Sequence, residues 1–182
     1  MDDFFDKDTI LESNRLILRY LDESDKEDIF KNIVNNKNVL KYYLWDYHDN
    51  IDEFDFRRVI NRYYANNMYA FSIVLKETGE VIGLIHQCNT LSPKFPTIEI
   101  GYAIGEAHWN KGYTTEALQL FVDFLKTKKV HKITASHIKE NAASGKVMQH
   151  VGMKYEYESV ESIFYHDKYH DVLFYYLINE NY

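Results

Sequence analysis

The stretch Trp109-Asn110-Lys111-Gly112-Tyr113-Thr114-Thr115 closes one periodic pattern and opens another. Before it, Ile98-Glu99-Ile100-Gly101-Tyr102-Ala103-Ile104 alternates apolar residues with small or polar ones, as a half-buried strand does. After it, Ala117, Leu118, Phe121, Phe124 and Leu125 recur at helical spacing. A glycine at such a junction lets the backbone approach a ligand closely, and the unpaired N–H groups of a first helical turn favour an anion. The stretch is therefore a candidate diphosphate cradle. Taken alone, it is equally a plain strand-to-helix connection with Thr114 or Thr115 as the cap.

A second segment adds to this reading. After the strand-like Lys132-Ile133-Thr134-Ala135-Ser136-His137-Ile138 comes Asn141-Ala142-Ala143-Ser144-Gly145-Lys146-Val147-Met148-Gln149-His150-Val151-Gly152-Met153. In order and spacing the pair resembles the GNAT superfamily of N-acetyltransferases, which combines a Gln/Arg-x-x-Gly-x-Gly/Ala loop with a later Asn-x-x-Ser helix ending in Gly-Phe or Gly-Met. Glu12-Ser13-Asn14-Arg15-Leu16-Ile17-Leu18-Arg19 and Glu99 to Ile104 are similar to the ribosomal-protein alanine N-acetyltransferase-like branch. The resemblance covers residues 10–178 as one N-acetyltransferase domain and leaves 1–9 as a short acidic extension. Two positions depart from the pattern. Trp109 stands where the loop usually has Gln or Arg, and Thr114 where it has Gly or Ala. Thr114 adds bulk and a hydroxyl, which either bonds a phosphate oxygen or tightens the site.

The whole chain sets outer limits. At 182 residues and 46% hydrophobic it suffices for one well-buried core and is short for two. No run approaches the length of a membrane helix, and the first residues are acidic where a secretory signal is basic and then apolar. A cytoplasmic protein without a membrane partner is expected. The single cysteine, Cys88, has no internal disulfide partner, and no Cys/His cluster has zinc-site spacing, so no metal is implied. Cys88 reads as a small buried strand residue rather than an acyl-carrying nucleophile.

A net charge of −7 argues against general nucleic-acid binding. Its distribution is uneven: residues 1–56 hold 15 acids and 7 bases, a balance of −8, whereas the remaining 13 acids and 14 bases give +1. An anionic cofactor on one side and a cationic amine on the other would suit this asymmetry, although each charge singly is also an ordinary solvated one.

The pattern along the chain predicts strands at 15–20, 69–75, 81–89, 97–104, 132–138, 154–160 and 173–178. It predicts helices at 23–35, 52–65, after Gly112, and at 142–150, with an aromatic loop Tyr42–His48 between the first two helices and an irregular break at Ser92–Pro96. Such mixed alternation implies an α/β domain with helices on both faces of a sheet. The resemblance supplies the specific form, a mixed GNAT sheet whose central parallel strands splay apart to admit acetyl-coenzyme A. On the strand itself, Thr97, Glu99, Gly101 and Ala103 form the face with room on it.

Acetyl transfer from a thioester to an amine needs a base for the amine, donors for the developing oxyanion and an acid for the departing thiolate. Glu99, a carboxylate interrupting an apolar strand beside the cleft, is the first candidate base; a structural or amine-binding carboxylate is the competing reading. His137, at the end of the neighbouring strand, is the alternative base and lines the substrate side. The resemblance assigns Ser144 near the coenzyme sulfur as the acid, and Asn141 to both the helix cap and the pantetheine region. It assigns the backbone around Tyr102, Ala103 and Ile104 to pantetheine and oxyanion contacts, and that of Asn110, Lys111, Gly112, Tyr113, Thr114 and Thr115 to the diphosphate. It further places Tyr43 and Trp45 at the acceptor cleft, where aromatic faces suit a cation. The expected partner is a primary amine: a protein N-terminus, a polyamine or another small amine. A homodimer is common in that branch, and nothing in these residues establishes one. Two other readings stay open, a non-catalytic acyl-coenzyme A binding or sensing module and an interaction domain that has lost the site.

Overall fold

The structure, a computed structural model, describes residues 6–180 apart from positions 93, 95 and 129. The expected break at Pro93 and Phe95, the first five residues of the acidic extension and Lys129 lie outside the described residues.

The first alternating run forms β2 (Leu16–Tyr20), with Leu16, Leu18 and Tyr20 buried. A strand too short to show periodicity, β1 (Ile10–Glu12), precedes it and pairs antiparallel, Ile10 opposite Arg19. The helix expected over 23–35 is present in three geometries: a 3-10 turn at Glu23–Asp25, α1 (Lys26–Ile29) and a π turn at Phe30–Val34. Asp22 starts it by accepting from the Ser24 N–H, while Asp25 accepts from the Asp22 N–H, a reciprocal capping box. Asp25 is buried, and it is compensated there by both outer nitrogens of Arg19 (2.9 and 2.6 Å) and by the Ser72 hydroxyl. A further short helix, α2 (Lys37–Leu40), starts at the Asn36 cap. α3 (Phe56–Ala65) begins later than position 52 because Asp55 supplies its cap, accepting from the Arg58 N–H at 3.0 Å.

β3 (Ala70–Leu75), β4 (Val81–Gln87), β5 (Thr97–Ile104), β6 (Lys132–Ile138), β7 (Lys154–Tyr165) and β8 (Lys168–Ile178) complete the sheet. Among the described residues it has eight strands in the order β1-β2-β3-β4-β5-β6-β8-β7. Every neighbouring pair is antiparallel except β5 and β6, which are joined by the crossover helix α4 (Tyr113–Thr127). α4 and α5 (Ala142–His150) cover one face, burying Ala117, Leu118, Phe121, Leu125 and Met148 against Leu18, Phe71, Ile98 and Ile133. The first three helices cover the other, with Ile29, Ile33, Leu40 and Ile60 packed on Ala70, Leu84 and Ala103. The α/β architecture with helices on both faces is thus as expected.

The last hairpin is longer than its periodicity suggests, because β7 and β8 turn on His166 and Asp167, both at positive φ (48° and 59°). Two such residues make the mirror-image turn that matches strand twist. The hairpin's end fixes the aromatic loop: the Tyr165 hydroxyl reaches the carbonyls of Leu40 (2.9 Å) and Tyr43 (3.3 Å). Among the described residues no helix is long and apolar enough to cross a membrane.

Candidate active site

The parallel pair β5 and β6 is in register over Thr97 opposite Lys132 to Ile100 opposite Ala135, and there its ladder stops. β5 nevertheless continues to Ile104 on β4, and β6 to Ile138 on β8. Each strand follows its antiparallel neighbour, so the two part beyond Ile100 and Ala135. The opening has polar walls. The Glu99 carbonyl accepts from the Cys88 N–H (2.8 Å), and the Gly105 N–H donates to the Ile82 carbonyl (2.8 Å). Odd-numbered residues of β5 therefore address β4, and by alternation the backbone groups of Tyr102 and Ile104 face the gap. Ala103 turns its backbone to β4, away from the opening where sequence reasoning had placed it. The Ile104 carbonyl is taken by the Trp109 indole N–H at 2.9 Å, which braces the following loop on the strand end.

That loop is a cradle of N–H groups. Asn110 (φ 59°) and Gly112 (φ 78°) are both left-handed, and the helical hydrogen bonds of α4 begin only with the Glu116 N–H on the Gly112 carbonyl (3.1 Å). No described residue accepts from the N–H groups of residues 110 to 115. Alternating hand turns successive N–H groups to one side, forming an anion nest at a helix N-terminus. Gly112 is itself the N-cap, with no side-chain cap bond, so Thr114 and Thr115 sit inside the first turn rather than capping it.

On the α5 side, Asn141 caps the helix by accepting from the Ser144 N–H (3.4 Å). The Ser144 hydroxyl is 2.8 Å from the Tyr102 hydroxyl, a contact bridging helix and strand. His137 lies beneath this helix. It is buried and stacked on Tyr175, its Nδ1–H donates to the Ile138 carbonyl (2.8 Å), and its Nε2 has no partner among the described residues. A Cβ on Gly145 would lie 2.6 Å from that nitrogen. Gly145→Ala is therefore expected to lose about 1–3 kcal/mol of stability in urea unfolding despite alanine's better helix propensity; unchanged stability would show that α5 is free to lift off His137.

Glu99 and the aromatic loop occupy the opposite face. The Ser136 hydroxyl donates to Glu99 Oε1 (3.2 Å) at the point where the strands part. Above Gly101 the expected room is filled, since a Cβ there would meet the His86 ring at 2.9 Å and Cys88 Sγ at 3.2 Å. His86 donates Nδ1–H to the Gln87 carbonyl (3.0 Å), which leaves Nε2 to accept from the Tyr43 hydroxyl (3.0 Å). Tyr63 and Tyr43 flank the ring, and Trp45 packs on Tyr43. Burial pushes the His86 pKa down to about 4, so the imidazole is neutral. Cys88 is exposed rather than buried as expected, yet desolvation, with the Glu99 charge near it, pushes the thiol up to about 12.

The structure thus gathers Glu99, Tyr43 and Trp45 on one face of the opening, and Ser144, Asn141 and Tyr102 on the other, with residues 110 to 115 at its end. His137 joins the second group, away from Tyr43 and Trp45. His86 escaped sequence reasoning, because its place over Gly101 is set by the β4–β5 register and not by any pattern within either strand.

The acetyltransferase (GNAT) domain family matches residues 15–154. The uncharacterized N-acetyltransferase YnaD of Bacillus subtilis is 28% identical over 145 residues, 79% of this chain and 82% of that protein. Spermidine N(1)-acetyltransferase of Vibrio cholerae is 24% identical over 171 residues, 93% of this chain and 96% of that one. Among solved structures, ribosomal-protein-S5-alanine acetyltransferase from Vibrio fischeri superposes with a TM-score of 0.83 at 21% identity, covering 95% of this chain and 98% of that one. The Vibrio cholerae spermidine N-acetyltransferase in complex with CoA and spermine gives 0.80 at 23% identity, covering 93% and 98%. With the family match running across most of its length and onto the opened strands and the anion nest, the chain belongs to the GNAT family of acetyltransferases, which use acetyl-coenzyme A.

Proposed function

We propose that this chain transfers an acetyl group from acetyl-coenzyme A directly to a primary amine, with donor and acceptor approaching the β5–β6 opening from its two sides. The observation that carries the reading is the run of N–H groups at residues 110 to 115, without acceptors among the described residues and set at the end of that opening. When bound, the donor supplies an activated thioester. The chain's own residues supply the rest. The 110–115 nest holds the diphosphate, and the Tyr102 backbone faces the pantetheine arm. Glu99 takes the proton that an amine of pKa about 10.4 carries at neutral pH. The Ser144 hydroxyl returns a proton to the sulfur side, with the Tyr102 hydroxyl positioned to orient or replenish it.

The two carboxyl and hydroxyl groups stand on opposite faces, which separates proton removal from proton delivery. Tyr43 and Trp45 offer aromatic faces to a cation, and Glu99, on the same side of the sheet, offers a carboxylate. A polyamine and a protein N-terminus both present a primary amine, and the relatives named for spermidine and for ribosomal-protein alanine support that acceptor class.

Calorimetric titration with acetyl-coenzyme A, followed by thiol release on adding N-terminal peptides, polyamines and small amines, tests the proposal. Binding with release is expected. Binding without release across the panel points to an acyl-coenzyme A sensing module instead, and no binding removes the donor site.

A further inference from the structure

If residues 110 to 115 hold a diphosphate, Glu116 is misplaced by charge alone, because its carboxylate stands in the first turn of α4 beside the ligand. The structure compensates it from far away in sequence. Arg15 Nε donates to Glu116 Oε2 (2.7 Å), while the Arg15 backbone N–H (3.2 Å) and the Ser13 hydroxyl (2.6 Å) donate to Oε1. The Arg15 Nη1 donates to the Lys111 carbonyl (2.9 Å), and the guanidinium lies over the Tyr113 ring at 4.5 Å. Partial burial works against the Glu116 charge, yet the bonds from Ser13 and Arg15 hold its carboxyl below the ordinary value. Ser13 and Arg15 are held in turn by the β1–β2 connection, where the Ser13 N–H meets the Leu16 carbonyl (3.0 Å) and the Leu16 N–H meets the Ser13 hydroxyl (3.1 Å).

We infer that Arg15 is a positioning residue of the donor site: it cancels the Glu116 charge and pins the Lys111 carbonyl, so that the N–H groups of 110–115 stay turned to the diphosphate. The inference rests on the donor-site reading above. Pinning that carbonyl matters because a peptide plane that flips there puts an oxygen where the nest needs an N–H. A planar fork reaching a carboxylate and a carbonyl together is a task for arginine rather than lysine.

A merely structural staple gives a different result from a charge-compensating one, and the sign of two substitutions separates them. Arg15→Gln and Glu116→Gln both break the ion pair. The inference expects Arg15→Gln to raise the KM for acetyl-coenzyme A about five- to tenfold, the scale of a partly exposed charge interaction near a helix terminus. Glu116→Gln leaves the KM unchanged or lowers it, since the Arg15 charge is then free to act on the diphosphate. The double variant falls between Arg15→Gln and the parent chain. The preference for acetyl-coenzyme A over acetyl-pantetheine, which lacks the diphosphate, shrinks in Arg15→Gln. Equal weakening by Arg15→Gln and Glu116→Gln overturns the inference while leaving the donor site intact, and so does an unchanged KM in Arg15→Gln. Absence of acetyl-coenzyme A binding by the parent chain overturns the donor-site reading and this inference with it. Should Arg15→Gln fail to fold, the direction of the Glu116→Gln effect still decides.

Discussion

Replacing Glu99 by Gln is expected to lower kcat by about a hundredfold while leaving the KM for acetyl-coenzyme A within about twofold. The side chain has the same shape, and its oxygen can still accept from the Ser136 hydroxyl, so the lips of the opening keep their packing. What is lost is the proposed base for the amine. The pH profile then carries the diagnosis: with no base in place, the variant's rate should climb about tenfold per pH unit as the free amine accumulates in solution. If Glu99 only binds the cationic amine, the KM for the amine rises and kcat does not fall. Ser144→Ala is expected to cost less, about tenfold in kcat, because a departing thiolate with a pKa near 8.5 finds its proton in water more easily than an amine loses one. A Glu99→Gln protein with the parent's rate and profile moves the base elsewhere on that face.

Much of this arrangement was legible before any coordinates. The Gly112 turn and the Asn141 to Ser144 segment carry local chemistry, namely a left-handed backbone position and a side-chain cap, and local chemistry is written in adjacent residues. The strand and helix patterns that frame them are equally local, since burial of one face imposes a period of two or of 3.6. What escaped depends on which strand lies beside which. That His86 stands over Gly101 follows from the β4–β5 register, and no periodicity within either strand states it. That His137 and Glu99 take opposite faces follows from the β5–β6 rungs, Glu99 opposite Thr134, which put Ser136 beside Glu99 and turn His137 beneath α5. The Arg15 contact with Glu116 joins the connection before the second strand to the fourth helix, and in the sequence each is an ordinary surface charge. Boundaries slipped where caps overrode periodicity, as at Asp55, or where a turn used His166 and Asp167 in place of glycine.

His86 should make the chain acid-sensitive in a defined window. Burial holds its folded pKa at about 4 against an ordinary 6.5; of the groups around it, Tyr43, Tyr63, Cys88, the Gln87 carbonyl and the more distant Arg62, the carbonyl favours the imidazolium, and burial outweighs it. The sign follows from proton counting: between these values the unfolded chain binds the proton and the folded chain does not. Stability is therefore full above about pH 6.5 and falls as pH drops towards 4, by about 3 kcal/mol in all. His108, also lowered by burial, adds to the loss in the same direction. The carboxyls of Asp22, Glu80, Glu116, Glu140 and Asp171, all held below their ordinary values, add theirs lower down. Urea unfolding of the parent chain and of His86→Gln at pH 7.5 and 5 isolates the one group. The variant starts less stable, because Gln fills the space over Gly101 less well, but its deficit should shrink by about 2 kcal/mol at the lower pH. Parallel losses in the two proteins would mean that the imidazole is hydrated enough to protonate in place. In that case the Tyr43 hydroxyl is not donating to Nε2, and the floor of the proposed acceptor face is wetter and looser than its packed rings indicate.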